Sequence, residues 1–329
     1  MCTGPWGVWK QPQRARLRGQ WAVTWKLKGS GPAPWGEKLM GPQRCCADAR
    51  GRLAPFTRHL FPDPGAGDAP TGAPAWLGDL AGAWIFYSVL PAWPWPRPRF
   101  ERIARFAPWI GLVLGGLQAL LWWLPAGWLP APARLALVMA LGLALTGGLH
   151  HDGALDTADG LAAGPRRPLE AMADRRGGAA AVQVALLLAL LRAAGLACLL
   201  PASPLLGALL LVWAAFWGRL APLPAMAFHP YLRREGSAAF HRRHWQGLAR
   251  ELRPALLALA LLLALGWLLP IPLLGRWLGL LGLLPAWLVP WWLGRRLGGH
   301  CGDSYGASVE WTETLSLLLM GLAVARAAA

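Results

Sequence analysis

The chain has 329 residues, of which 55% are hydrophobic and only 15% are charged, and its mean hydropathy is +0.37. That balance excludes an ordinary soluble domain of this size and points to a polytopic membrane protein. The formal charge of +16 would suggest nucleic acid in a soluble chain. Here the arginines lie between apolar segments, where membrane topology accounts for them and no nucleic-acid partner is expected.

Residues 1–75 are rich in Gly, Pro, Arg and Trp and show neither helical nor strand periodicity. We expect a disordered extension, or one arising from an upstream start site. A signal peptide is not expected, because no continuous apolar core follows the first basic residues, and Trp6, Trp9, Trp21, Trp25 and Trp35 argue against a transit peptide. Deleting the segment is expected to leave activity intact. The rest, 76–329, reads as one membrane-embedded domain. It opens with a short apolar stretch from Trp76 to Leu90, stopped by Pro91, which is too short to span and is expected to be an interfacial or re-entrant helix.

Apolar runs follow at 106–124, 133–149, 179–200, 205–227, 254–269, 277–293 and 314–328. They predict an all-α membrane bundle of about seven spanning segments, since a helix needs about 20 apolar residues to cross a bilayer. The charge between them is one-sided. Arg97 to Arg105, Arg166 to Arg176, Arg233 to Arg253 and Arg295–Arg296 lie in alternate connections, whereas the intervening ones hold only Arg276. The arginine-rich side is therefore expected to be cytoplasmic. Arg192 sits well inside an expected span, where it snorkels, pairs with an acid, or marks a boundary elsewhere. Cys2, Cys45, Cys46, Cys198 and Cys301 form no CxxC pair, so neither zinc nor a disulfide framework is expected.

The most informative stretch is Gly147-Gly148-Leu149-His150-His151-Asp152-Gly153-Ala154-Leu155-Asp156-Thr157-Ala158-Asp159-Gly160. On a helix, Asp152, Asp156 and Asp159 share one face, on the arginine-rich side of the membrane. Three crowded carboxylates need protons, solvent or a cation, and an all-oxygen set suits Mg²⁺, which commonly bridges carboxylates and substrate phosphates. The alternative is a solvated, acid-rich helix end. A second cluster holds Asp174, a candidate fourth ligand, and Arg176, a candidate phosphate contact through its planar fork. A third runs from Arg295 to Glu313 at the opening of the last expected span. Its Gly298, Gly299 and Gly302 allow close backbone approach to a ligand, and Asp303, Glu310 and Glu313 are candidate metal ligands or bases. All polar clusters fall on one side, as expected of a site facing the cytoplasm rather than of a transport path.

In this order and between these runs, the three clusters resemble cobalamin synthase, the adenosylcobinamide-GDP ribazoletransferase family. The likeness covers 77–329. Residues 147–160 match its Gly-Gly-Leu-His-x-Asp-Gly-x-x-Asp-Thr-x-Asp-Gly pattern throughout. Asp174, Arg176 and Gly178 match its Asp-Ser-Arg-x-Gly, with Arg175 in place of serine. Gly298, Gly299, Gly302, Asp303, Gly306 and Ala307 match its terminal block, with Cys301 in place of threonine, and Glu310 and Glu313 supply the acids that follow. Phe86 to Pro91, Gly218-Arg219 and Pro230-Tyr231 resemble further positions.

The resemblance implies a bacterial inner-membrane transferase of cobalamin biosynthesis with its active site facing the cytoplasm. In that reaction α-ribazole, or its 5′-phosphate, attacks the phosphate next to cobinamide in adenosylcobinamide-GDP, and GMP leaves. It further implies Asp152, Asp156, Asp159, Asp174 and Asp303 as Mg²⁺ ligands, and Arg176, Arg219, Gly298, Gly299, Gly302 and Glu313 as substrate contacts. His150, His151 or Glu310 would be the base. The implied partners are the two substrates and the lipid bilayer, with self-association or association with other cobalamin assembly enzymes left open. A CDP-alcohol phosphatidyltransferase also sets aspartates at a helix end, but Leu155 and Asp156 stand where its Ala-Arg would be, and it would release CMP. A transporter would need more ionisable groups in mid-membrane than Arg192.

Overall fold

The computed structural model describes residues 13–17, 20–24, 72–174, 176–233 and 238–328. Chain contacts divide it into two units, 1–44 and 45–329. In the first, β1 (Gln13–Leu17) and β2 (Gln20–Thr24) pair antiparallel with Ala15 opposite Ala22. This hairpin departs from the expected lack of strand periodicity; Trp21, Val23 and Thr24 are residue types that favour strands. The expectation of disorder for the remainder of 1–71 lies outside the described residues.

The second unit is helical. α1 (Ala75–Tyr87) starts after Pro74 and stops where Ser88 becomes extended. A 3-10 turn at Ile103–Phe106 leads into α2 (Ala107–Trp123), which has proline in its first turn. There the missing N–H costs nothing. α3 (Ala131–Leu145), α4 (Leu149–Ala162), α5 (Pro168–Ala171) and α6 (Ala179–Cys198) follow. α7 (Pro204–Leu220) is capped by Ser203, whose hydroxyl accepts the Leu206 N–H at 3.2 Å. α8 (Pro222–Phe228) continues it. The basic segment beyond holds α9 (Ala239–Arg243) and α10 (Leu248–Glu251), before α11 (Arg253–Leu268), α12 (Leu273–Leu278), α13 (Leu283–Leu297) and α14 (Gly302–Ala328).

Among the described residues, five helical stretches are long and apolar enough to cross a membrane: Ile103–Trp123, Ala179–Cys198, Pro204–Phe228, Leu273–Leu297 and Gly302–Ala327. The all-α membrane bundle is as the sequence predicts, but three of the seven expected spans differ. The second is broken, with α3 and α4 bent by 88°. Gly147 and Gly148 stand at the corner with φ of +60° and +71°, a left-handed pair that ends one helix and lets the next leave at an angle. The fifth, α11, is a shorter apolar helix of 16 residues. The last begins at Gly302 rather than near 314, so the residues around Glu310 and Glu313 are helical and not an opening turn.

α7 is the centre of the bundle, with Trp213 and Phe216 fully enclosed. α6 instead leaves Val182, Leu186 and Leu190 exposed, a face suited to lipid, where apolar side chains need no protein cover. α14 packs along α4, α6 and α7. The α4 contact is set by a backbone approach, since a Cβ at Gly153 would lie 2.7 Å from the Asp303 carbonyl oxygen. Gly153→Ala is therefore expected to separate α4 from α14, costing about 1–3 kcal/mol, seen as a lower melting midpoint in detergent together with lower activity.

Candidate active site

The α3–α4 corner is held from outside by the segment after α1. The Val89 N–H donates to the Leu145 carbonyl at 2.9 Å, and the Tyr87 ring stacks on His150 with centroids 6.0 Å apart. His150 is buried and lies within reach of the Arg219 charge, whereas His151 is half-buried at the start of α4. Beside it Asp152 is exposed, and one and two turns further on Asp156 and Asp159 are half-buried.

Crossing of α4 and α14 at Gly153 adds Asp303, from the third sequence cluster, to this face. Among the described residues, the charges acting on Asp156 are those of Asp152, Asp303 and Asp159, opposed by Arg233. Like charges this close repel, so the face attracts cations. Among the described residues, however, no three His, Cys, Asp or Glu side chains are arranged to hold a metal ion by themselves.

Asp159 already has backbone partners. Its carboxylate accepts the Gly178 N–H at 2.6 Å and the Ala181 N–H at 3.0 Å. It thus caps α6 from another helix, satisfying orphan donors at the positive end of the helix dipole. Asp159→Ala is expected to cost about 1–2 kcal/mol, measured as a lower unfolding midpoint.

The second cluster joins the site through that backbone. Asp174 itself is exposed and paired with Arg176 at 3.0 Å, and hydrogen bonds from Arg176 hold its carboxyl below the usual carboxylate range. Where a fourth ligand is expected from the sequence, the structure shows Asp174 paired with the local Arg176 fork.

Arg219, Glu310 and Glu313 come together in an ion network inside the bundle. Glu313 pairs with Arg219 and, at 3.1 Å, with Arg192, which also approaches Glu310 at 3.5 Å. This answers why Arg192 is tolerated within a span: it pairs with acids. Arg219, Glu310 and Glu313 are all nearly inaccessible, in contrast to the exposed Asp152.

Gly298 is exposed, Gly302 opens α14, and a Cβ at Gly299 would lie 2.5 Å from the Pro230 carbonyl oxygen. The close approach at Gly299 is thus to the chain itself. A parallel bridge forms there: the Leu232 N–H donates to the His300 carbonyl at 2.7 Å and the His300 N–H to the Pro230 carbonyl at 2.8 Å. His300 Nε2 donates to the Pro290 carbonyl at 3.0 Å. Burial pushes its pKa down to about 4, so it is a neutral brace. Tyr231 and Tyr305 stack beside it. The bridge delivers Arg233 to Asp303, with Nη2 2.9 Å from the carboxylate. Sequence reasoning missed Arg233 and Tyr87 as site residues; the available signals were their positions beside Pro230-Tyr231 and within the Phe86 to Pro91 stretch.

Comparison with known proteins gives the family. The family model described as Cobalamin-5-phosphate synthase matches residues 79–321. A protein named adenosylcobinamide-GDP ribazoletransferase from Prochlorococcus marinus (strain MIT 9303) is 58% identical over 261 residues, covering 76% of this chain and 97% of that one. One of the same name from Thermosynechococcus vestitus is 46% identical over 246 residues, covering 74% and 94%. No solved structure matches the chain. With all three sequence clusters inside the matched region and two of them meeting where α4 crosses α14, the chain belongs to the cobalamin-5-phosphate synthase family.

Proposed function

We propose that the protein is an adenosylcobinamide-GDP ribazoletransferase that completes the nucleotide loop of cobalamin on the cytoplasmic face of the bacterial inner membrane. The relatives' names supply the reaction. The observation that carries the site is the convergence of Asp152 and Asp156 on α4 with Asp303 on α14. The arginine-rich connections support the orientation.

An acceptor hydroxyl of α-ribazole, or of its 5′-phosphate, forms a new bond to the phosphorus next to cobinamide. The bond from that phosphorus to the bridging oxygen breaks, and GMP leaves with the oxygen. Such chemistry asks the protein mainly to position reactants and balance charge. Asp152, Asp156 and Asp303 would hold Mg²⁺. Their hard oxygen donors fit it, and fewer than three preassembled ligands is usual for an ion that keeps waters and shares substrate phosphates. When bound it would neutralise charge on the diphosphate.

The geometry favours His151 as acceptor of the ribazole proton. His150 is enclosed, and Glu310 is buried beside Arg192, whereas His151 is half-open next to Asp152. Arg176, exposed and anchored on Asp174, is placed to meet a phosphate at the rim.

The test is GMP release by membranes or nanodiscs carrying the full chain. Release that requires adenosylcobinamide-GDP, α-ribazole and Mg²⁺ together is the expected result. Release without ribazole, or none from well-inserted protein, would overturn the assignment.

A further inference from the structure

Arg233 is unlike the other ion-paired arginines on this side of the molecule. Arg102 places two nitrogens on Glu251 Oε1, at 3.0 and 2.8 Å, and Arg105 reaches the buried Asp79 at 2.6 Å. Among the described residues, Arg233 has one ion-pair contact, Nη2 to Asp303 Oδ2, and that nitrogen makes no well-directed hydrogen bond. Its fork is therefore unsaturated, with donors left for another acceptor. Both side chains of the pair are partly accessible, at 28% and 22%.

The root of Arg233 is fixed by the backbone that precedes it. The backbone bridge of Pro230 and Leu232 to His300 and the stacking of Tyr231 on Tyr305 hold the preceding residues against the start of α14. The guanidinium then hangs over the carboxylate face on a flexible stem. Among the described residues it is there the one cation acting on Asp156, against Asp152, Asp159 and Asp303.

We propose that Arg233 is a built-in counter-cation of the Asp152, Asp156 and Asp303 face, which it yields to a divalent ion, and that its freed guanidinium then contacts the diphosphate of the donor. The inference rests on the transferase reading for its second half only. A guanidinium and a divalent cation on the same carboxylates repel each other, so each lowers the affinity of the other. Released from Asp303, a planar fork matches phosphate oxygens in a way a lysine ammonium does not.

The experiment measures Mn²⁺ binding by loss of the free-ion EPR signal, using full chain in nanodiscs without substrate, for the parent, Arg233→Gln and Arg233→Lys. Arg233→Gln is expected to bind Mn²⁺ on the order of tenfold tighter, with Arg233→Lys near the parent. In Mg²⁺-saturated turnover, Arg233→Gln is expected to raise KM for adenosylcobinamide-GDP, and Arg233→Lys to recover part of it. Arg233→Met repeats both measurements on a second neutral side chain should the glutamine variant fold poorly.

Mn²⁺ binding that is unchanged or weaker in the neutral variants would overturn the proposal, leaving Arg233 as a prop for Asp303. Tighter binding with an unchanged donor KM would overturn the diphosphate contact. Tighter Mn²⁺ binding by the neutral variants of a chain whose parent releases no GMP would support the counter-cation while sinking the transferase reading.

Discussion

Asp152→Asn and Asp156→Asn are each expected to lower GMP release by about 10²–10³-fold without lowering the melting midpoint. Among the described residues, neither carboxylate makes an ion pair or hydrogen bond that would make it a structural prop; Asp152 is exposed, and Asp156 faces mainly other acids. Removing one like charge relieves repulsion, so Asp156→Asn is expected to melt at the parent temperature or above it. Asp159→Ala provides the contrast, since it removes a helix cap and is expected to lose stability. The measurement pairs chromatographic GMP detection with thermal unfolding in detergent at equal protein abundance. Full activity in both asparagine variants would move the reacting centre away from α4.

Glu313→Gln is expected to be the most destabilising single change, at about 3–5 kcal/mol. It leaves Arg219, which is 3% exposed, without its carboxylate and leaves Arg192 only the longer contact with Glu310. An unpaired guanidinium inside the bundle has neither water nor a counter-charge. The check is denaturant titration in mixed micelles and the yield of inserted protein. Replacing Arg219 and Glu313 together by methionine is expected to restore much of the loss, because Arg192 and Glu310 still balance one to one and the buried charge is gone. Equal stability of Glu313→Gln and the parent would mean that water reaches the network.

Legibility differed from element to element. Hydropathy located the apolar runs because a bilayer demands long apolar helices whatever their neighbours. Arginine spacing likewise marked one side of the membrane, and residues 147–160, read as a helix face, matched α4 closely. The broken second span was written in Gly147-Gly148, yet an apolar run continuous with α4 hid it, since hydropathy averages over a corner. The start of α14 was placed too late because Ser304, Ser308, Glu310 and Glu313 look like a polar turn until Arg192 supplies the counter-charge.

By itself the sequence determined an all-α chain with membrane helices, its alternating arginine-rich connections and the motif blocks that carry the family likeness, because each depends on local composition or on spacing along one helix. Only the tertiary structure decided which carboxylates share a face, that Asp159 caps α6, that Glu310 and Glu313 belong to a buried network, and that Arg233 stands over Asp303. These are meetings of residues far apart in the chain. They depend on a glycine-permitted crossing of α4 and α14 and on backbone bridging at His300, which no local pattern encodes.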